Sequence, residues 1–152
     1  MKLHHPIQPN DQLEVYVLAV FHRAEHTIRS HEGLVIKAHG LTPTQFGVLD
    51  VLYTKGPLAI GTLIGEMLST SGNMTVVIRN MERDGYVYRR ANPEDGRSSL
   101  IDLTEMGRRK LEEILPEHVA HTRKIFSVLT DQEKYELIRI LRKIQNPRAE
   151  II

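Results

Sequence analysis

Apolar residues recur at helical spacing along most of this chain and divide it into short amphipathic segments. Leu13, Val17, Phe21, Ala24 and Ile28 make a first stripe that runs on toward Ala38, with Val15, Leu18 and Val20 lying off it. A helix apolar on more than one face packs against more than one partner, which leaves a place for a second subunit. Asp11 with Glu14 three residues on reads as its capping box, Gly33 as a bend and His39-Gly40 as its end. Thr42-Pro43-Thr44-Gln45 opens a second helix, with an N-cap Thr, Pro at the first helical position and Gln three residues after the cap. Phe46, Leu49, Leu52 and Tyr53 are its core side. Beyond the Lys55-Gly56-Pro57 turn, a short helix over residues 60–68 turns Ile60, Leu63, Ile64 and Met67 inward, and its Gly61 and Gly65 imply close backbone packing.

In the fourth segment Met74, Val77, Ile78 and Met81 fall at i, i+3, i+4 and i+7. Thr70 and Ser71 can cap its start, and Gly85 supplies a left-handed exit. The period then changes. Residues 86–90 and 98–103 are short runs rich in Val, Ile, Tyr and Leu around a charged Pro- and Gly-containing tip, which predicts a β-hairpin. Thr104 caps a further helix with Leu111, Ile114, Leu115 and Val119 apolar, and Pro116 is expected to kink or break it. Thr130 with Glu133 is another capping box, opening a last helix with Leu137, Ile138, Leu141 and Ile144 on one face until Pro147. Residues 1–9 read as a loose arm, with Pro6 and Pro9 opposing helix, and the last residues as frayed. The chain is thus predicted to be one mainly α domain over 1–152 with a small β-hairpin.

Composition narrows the chemistry. Net charge is +1, from 20 Lys and Arg against 19 Asp and Glu, so only a clustering of arginines on one face would point to nucleic acid. Cysteine is absent, which excludes disulfides, thiolate metal sites and thiol nucleophiles. The first ten residues have no apolar core of a signal peptide, and the longest apolar run, over 15–21, is far below the ~18 residues of a membrane span. A cytoplasmic protein without membrane contact is expected.

Asn73, Thr75, Val76, Arg79, Asn80 and Arg83 lie opposite the apolar face of the fourth segment, most of them able to donate to phosphates or base edges. The short helix, the turn at Thr70 and this helix have the proportions of a helix-turn-helix. At the hairpin tip Asp95 and Arg97 sit two apart, a spacing at which a carboxylate can hold a guanidinium in one orientation for a narrow minor groove. Taken alone, such a helix is more often a solvated surface; the hairpin directly after it shifts the balance.

This order of elements resembles the MarR family of winged helix-turn-helix regulators, over nearly the whole chain from about Leu13 to Ile144. The resemblance rests on Leu41-Thr42-Pro43-Thr44-Gln45-Phe46, Glu82-Arg83-Asp84-Gly85-Tyr86-Val87, Pro93-Glu94-Asp95-Gly96-Arg97 and Leu103-Thr104-Glu105-Met106-Gly107. Asn73-Met74-Thr75-Val76-Val77-Ile78 and Pro116-Glu117-His118-Val119 look like a subgroup that answers to quinones and related aromatic compounds. The resemblance implies a winged helix-turn-helix with long dimerisation helices: a DNA-binding part over 41–104, and dimerisation helices over 11–39 and 105–145. It implies a homodimer without a cofactor, in which a helix over 71–84, beginning at Ser71, meets a major groove of double-stranded DNA. Arg97 would then reach a minor groove, with Arg89 and Arg90 nearer the phosphates. Two departures stand out: Val76 and Gly96 occupy positions where relatives often carry arginine.

The function expected is a ligand-responsive repressor on a pseudo-palindromic operator, with Phe21, His22, Phe46 and Tyr53 as pocket residues for a small aromatic or quinone-like effector. Three other readings are open. His22 with His26, and His118 with His121, share helix faces at spacings that could hold zinc, which would make a metal-responsive regulator. A winged helix used only for protein contact fits the near-neutral charge. An enzyme has no support: HExxH, P-loop, dinucleotide-turn and nucleophile-elbow motifs are all missing.

Overall fold

Three threonines set where the main helices begin. In the computed structural model, which describes residues 11–67 and 74–145, Thr42 accepts from the Gln45 amide at 3.2 Å, while the Gln45 side chain takes the Thr42 amide at 2.9 Å. That closed box starts α2 (Pro43–Lys55). Thr104 accepts from Gly107 N–H at 3.0 Å and starts α5 (Glu105–Ile125). Thr130 and Glu133 form the third box, ahead of α6 (Asp131–Gln145). The first helix, α1 (Gln12–Ala38), begins without such a bond. Asp11 has ψ near 1° rather than an extended value, so its carboxylate is not aimed at the first-turn amides, contrary to the expected capping box.

Between these helices lie β1 (Leu58–Ala59), α3 (Ile60–Glu66), α4 (Met74–Arg83), β2 (Val87–Ala91) and β3 (Ser99–Leu103). β2 and β3 pair antiparallel from Val87 opposite Leu103 to Ala91 opposite Ser99. β1 adds to the other edge of β3, Leu58 opposite Ile101, giving the order β1-β3-β2. The predicted hairpin is therefore two strands of a three-stranded sheet.

The core gathers residues of α1, α3, α4, the sheet and α5 around α2. Val48, Leu49 and Leu52 are buried against Leu63 of α3, Ile78 and Met81 of α4, Val87 and Ile101 of the sheet, and Leu111 and Ile114 of α5. Each such side chain removed from water contributes about 1.5–3 kcal/mol. The close approach between sheet and α5 is made at Gly107, where a Cβ would stand 2.0 Å from the Tyr86 carbonyl oxygen. Gly61 and Gly65 have nothing within 4 Å of a Cβ, so they are not the packing glycines expected. Ile64 is correspondingly half exposed rather than inward. Pro116 does not break α5: the proline is exposed, and buried Leu111 and Ile114 hold the helix to the core just ahead of it.

The outer helices look different. In α1 only Gly33, Val35 and Ile36 are buried, and α6 has no buried residue. Leu13, Val17, Leu18, Phe21, Tyr135, Ile138 and Ile144 all remain exposed. The loose arm over 1–9, the end of the third helix at residue 68, the Thr70–Ser71 start with Asn73, and the stop at Pro147 lie outside the described residues.

Candidate nucleic-acid interface

The amphipathic split of α4 fixes which side chains face outward. Met74, Ile78 and Met81 are buried and Val77 packs against the core. Thr75, Val76, Arg79 and Arg83 are exposed on the other side, with Asn80 half-buried between them. Arg83 is held locally, its Nε 3.0 Å from Asp84 Oδ1 and its Nη1 3.5 Å from Asn80 Oδ1. Arg79 has no carboxylate partner among the described residues.

The helix ends in a Schellman turn. Tyr86 N–H donates to Met81 O at 2.9 Å and Gly85 N–H to Glu82 O at 3.0 Å, with Gly85 at φ 82°. A side chain is strained at that φ, which is why glycine closes the turn. The exit is then tied to the next helix: the Thr104 hydroxyl donates to the Gly85 and Tyr86 carbonyls, at 2.5 and 3.1 Å. One threonine thus caps α5 and holds the base of the hairpin.

The hairpin tip is built from short polar side chains that bond to nearby backbone. Asn92 Oδ1 accepts from Glu94 N–H at 3.0 Å, Asn92 Nδ2 donates to Ser98 Oγ at 2.9 Å, and Asp95 O accepts from Ser98 N–H at 3.1 Å. Asp95 Oδ1 accepts the backbone N–H of Arg97 at 3.0 Å. Contrary to the expectation from the spacing, the carboxylate holds the turn backbone and not the guanidinium; an Asx turn satisfies the carboxylate at shorter reach. The Arg97 side chain stands exposed at the tip. Arg89 and Arg90 are engaged instead, Arg89 with Glu82 at 3.0 Å and Arg90 with Asp102 at 3.4 Å. Of the eleven sequence-predicted contact residues, Ser71 and Asn73 lie outside the described residues. Thr75, Val76, Arg79 and Arg83 share one exposed helix face with half-buried Asn80 between them, and Arg89, Arg90, Asp95 and Arg97 follow the hairpin.

A crevice of about 600 Å³ separates this part from the outer helices. Phe21, Ile28, Phe46, Met67, His118 and Leu141 are among its lining residues, from α1, α2, α5, α6 and the end of α3. The Phe46 and His118 rings meet at 4.8 Å between centres, their planes tilted by 46°. Of the four residues expected at an effector pocket, Phe21 and Phe46 line this crevice and His22 and Tyr53 do not. His22 points off the Phe21 stripe, and Tyr53 lies seven residues beyond Phe46, on its side of α2 but about 10 Å further along the axis. There the Tyr53 hydroxyl donates to Glu112 at 3.1 Å and the Arg108 guanidinium covers its ring at 5.0 Å. Met67 and the α6 leucines were missed, because nothing local marks a residue contributed from another element.

The histidine pairs separate. His118 turns to Phe46 while His121 turns to His31, 6.0 Å between ring centres. His22 and His26 stay exposed on α1. Among the described residues no three His, Asp or Glu side chains gather as a metal ion would require.

A helix presenting polar and cationic groups, preceded by a short helix and followed by an arginine-tipped hairpin, defines a winged helix-turn-helix protein. The chain belongs to the MarR family: that family's model matches residues 41–99, and relatives match well beyond it. It is 39% identical over 124 residues to the HTH-type transcriptional regulator YkoM of Bacillus subtilis, covering 82% of this chain and 80% of that protein. The HTH-type transcriptional regulator MhqR of the same organism is 34% identical over 125 residues, covering 82% of this chain and 86% of its own. In fold the chain is similar to Sco3205, a MarR family transcriptional regulator from Streptomyces coelicolor solved in complex with DNA. There the TM-score is 0.79 at 22% identity, covering 99% of this chain and 96% of the other. The family is one of transcriptional regulators, not of enzymes. No described helix is long and apolar enough to cross a membrane.

Proposed function

We propose that this chain is a cytoplasmic homodimeric repressor that reads a pseudo-palindromic operator and releases it when a small aromatic or quinone-like effector binds. The observation that carries this reading is the common exposure of the Thr75, Val76, Arg79, Arg83 face of α4 and the Arg97-bearing tip on a single body. In a two-fold dimer, two α4 helices reach half-sites roughly 34–36 Å apart. Arg79 and Arg83 contact phosphates, which gives salt-sensitive affinity. Thr75, Val76 and Asn80 choose among bases, Val76 by apolar contact with a thymine methyl. Ser71 and Asn73, expected from the sequence to join the DNA contact, lie outside the described residues. Arg97 enters the flanking minor groove, while Arg89 and Arg90, already neutralised in part by Glu82 and Asp102, lie along the backbone.

The effector enters the crevice between α1, α2 and α6, where Phe46 and His118 offer ring faces and the walls are mostly apolar. Occupying it changes how the outer helices sit on the reading part, hence the separation of the two α4 helices. Regulation needs about 1–3 kcal/mol of difference between the two dimer shapes. Selection of bound sites from random duplex DNA tests the reading. A recovered two-fold sequence whose binding weakens with salt and with simple quinones supports it; salt-independent or absent duplex binding overturns it and favours a protein-contact module.

A further inference from the structure

Arg89 and Arg90 are neighbours in β2, yet they are held in different ways. Successive side chains of a strand point to opposite faces of the sheet. Arg89 shares its face with buried Val87 and stands opposite Ile101 of β3, which is also buried. Arg90 takes the other face with Tyr88, and both reach Asp102 Oδ2, at 3.4 and 3.3 Å. Those contacts stay within the hairpin. The Arg89 contact does not: its Nε donates to the Glu82 carboxylate of α4, 3.0 Å from Oε1 and 3.2 Å from Oε2. Among the described residues it is the ion pair that joins the hairpin to α4.

Glu82 lies one turn after Ile78, beside the buried face of α4, with a side chain 27% exposed against 70% for Arg83 on the outer face. Its carboxylate is therefore set apart from the polar face that α4 presents. Between α4 and β2 stand only Asp84, Gly85 and Tyr86, and the ion pair closes across that turn. An ion pair this open to solvent adds little to overall stability, so what it contributes is an angle between helix and hairpin. That angle matters because two linked contacts reinforce each other only where the geometry lets both be made at once. We propose that Glu82 and Arg89 are positioning residues: their pairing holds the hairpin at the angle to α4 at which the Arg97 tip and the α4 face meet one duplex together. The inference rests on the DNA reading above and gives Arg89 the task of orienting Arg97, not of meeting a phosphate. The two tasks give opposite signs for one substitution. If Arg89 met a phosphate and Glu82 were only its counter-charge, removing the carboxylate would free a cation, and DNA binding would tighten. If the pair sets an angle, the same change weakens binding.

The test uses the full-length protein and the duplex that the wild type selects from random DNA, followed by fluorescence anisotropy at one salt concentration. Glu82→Gln and Arg89→Gln are each expected to weaken binding about fivefold or more, as when the Arg97 contact is itself removed. Circular dichroism and the melting temperature should stay close to those of the wild type, since both side chains are partly solvated. On an Arg97→Ala background, Glu82→Gln is expected to change affinity by less than about twofold, because the tip it orients no longer contributes. Unchanged or tighter binding by Glu82→Gln overturns the proposal and returns Arg89 to the phosphates. A loss that persists in full on the Arg97→Ala background also overturns it, because the effect then lies in α4 and not in the hairpin. A wild type that selects no duplex is a separate result: it removes the DNA reading itself, and the proposal with it.

Discussion

His39 Nε2 lies 2.7 Å from Glu117 Oε2, and its other ring nitrogen faces Glu113 Oε1 at 3.3 Å. A neutral imidazole has one N–H; holding a carboxylate at each nitrogen requires the imidazolium. The residue sits at the C-terminus of α1, so the contact fastens the end of that helix to the middle of α5. The hydrogen bond that His39 donates to Glu117 raises the His39 pKa above its ordinary 6.5, partial burial works the other way, and Glu113 adds to the rise. Lys110, 3.7 Å from Glu113, shares that carboxylate.

A folded-state pKa above the unfolded value gives stability that is complete below 6.5 and is lost as pH rises through the raised value. Thermal melts of the wild type and of Glu117→Gln are therefore expected to differ most at about pH 6 and to converge by about pH 9. The His39 ring should titrate above 6.5 by NMR and return toward it in the Glu113→Gln, Glu117→Gln double variant. A constant melting difference across that range would remove the ion pair from the account.

At the hairpin tip, charge and shape are separable. Arg97→Ala is expected to weaken operator binding by about 1 kcal/mol or more and to lower the salt slope by about one. Asp95→Ala leaves the Arg97 cation in place and removes the acceptor for the Arg97 amide, 3.0 Å away, along with one carboxylate that touches no phosphate. Its loss of affinity should come with an unchanged salt slope. Fluorescence anisotropy over a salt series distinguishes the two, and equal slopes in all three proteins would take Arg97 off the DNA.

Two glycines make opposite predictions. Gly107→Ala places a Cβ 2.0 Å from the Tyr86 carbonyl oxygen, a backbone atom that cannot swing away. The cost is expected to be about 3 kcal/mol or more. Gly61→Ala in α3 meets open space and restricts the unfolded chain, so a gain of roughly 0.5–1 kcal/mol is expected. Urea unfolding of both variants measures the contrast; a stable Gly107→Ala would mean that the sheet and α5 approach less closely.

These cases also show what could be read before the fold was known. The helix-capping bonds of Thr42, Thr104 and Thr130 and the Gly85 turn span only a few residues, so a local pattern reveals them; the Thr104 bonds to the Gly85 and Tyr86 carbonyls cross to another element and leave no such mark. The outer face of α4 was legible for the same reason: a period of 3.6 residues sorts Met74, Ile78 and Met81 from Thr75, Arg79 and Arg83. The His39 clasp joins residues 74 and 78 apart in the chain, and no spacing rule reaches that far. β1 has only two residues and exists because β3 offers an edge to Leu58 and Ala59. Whether an arginine is free like Arg97 or bound like Arg89 depends on where Glu82 falls across a turn, which is a property of the folded chain.

The uncovered apolar faces of α1 and α6 carry the last prediction. Leu13 is 67% exposed, Val17 54% and Ile144 63%, far from the fully buried core around α2. Scattered exposed aliphatics are ordinary, but these recur along two helices that bury almost nothing else, as an interface between subunits would. A charge placed there stays solvated in a lone subunit and must be buried, unpaired, in a dimer. Val17→Asp and Ile138→Asp are therefore expected to leave the helical content intact while shifting the protein from dimer to monomer in sedimentation equilibrium. Operator affinity should fall with the dimer, because one α4 then reads one half-site alone. If both variants remain dimeric, the subunits meet through another surface, and the spacing of the two reading helices has to be derived again from that surface.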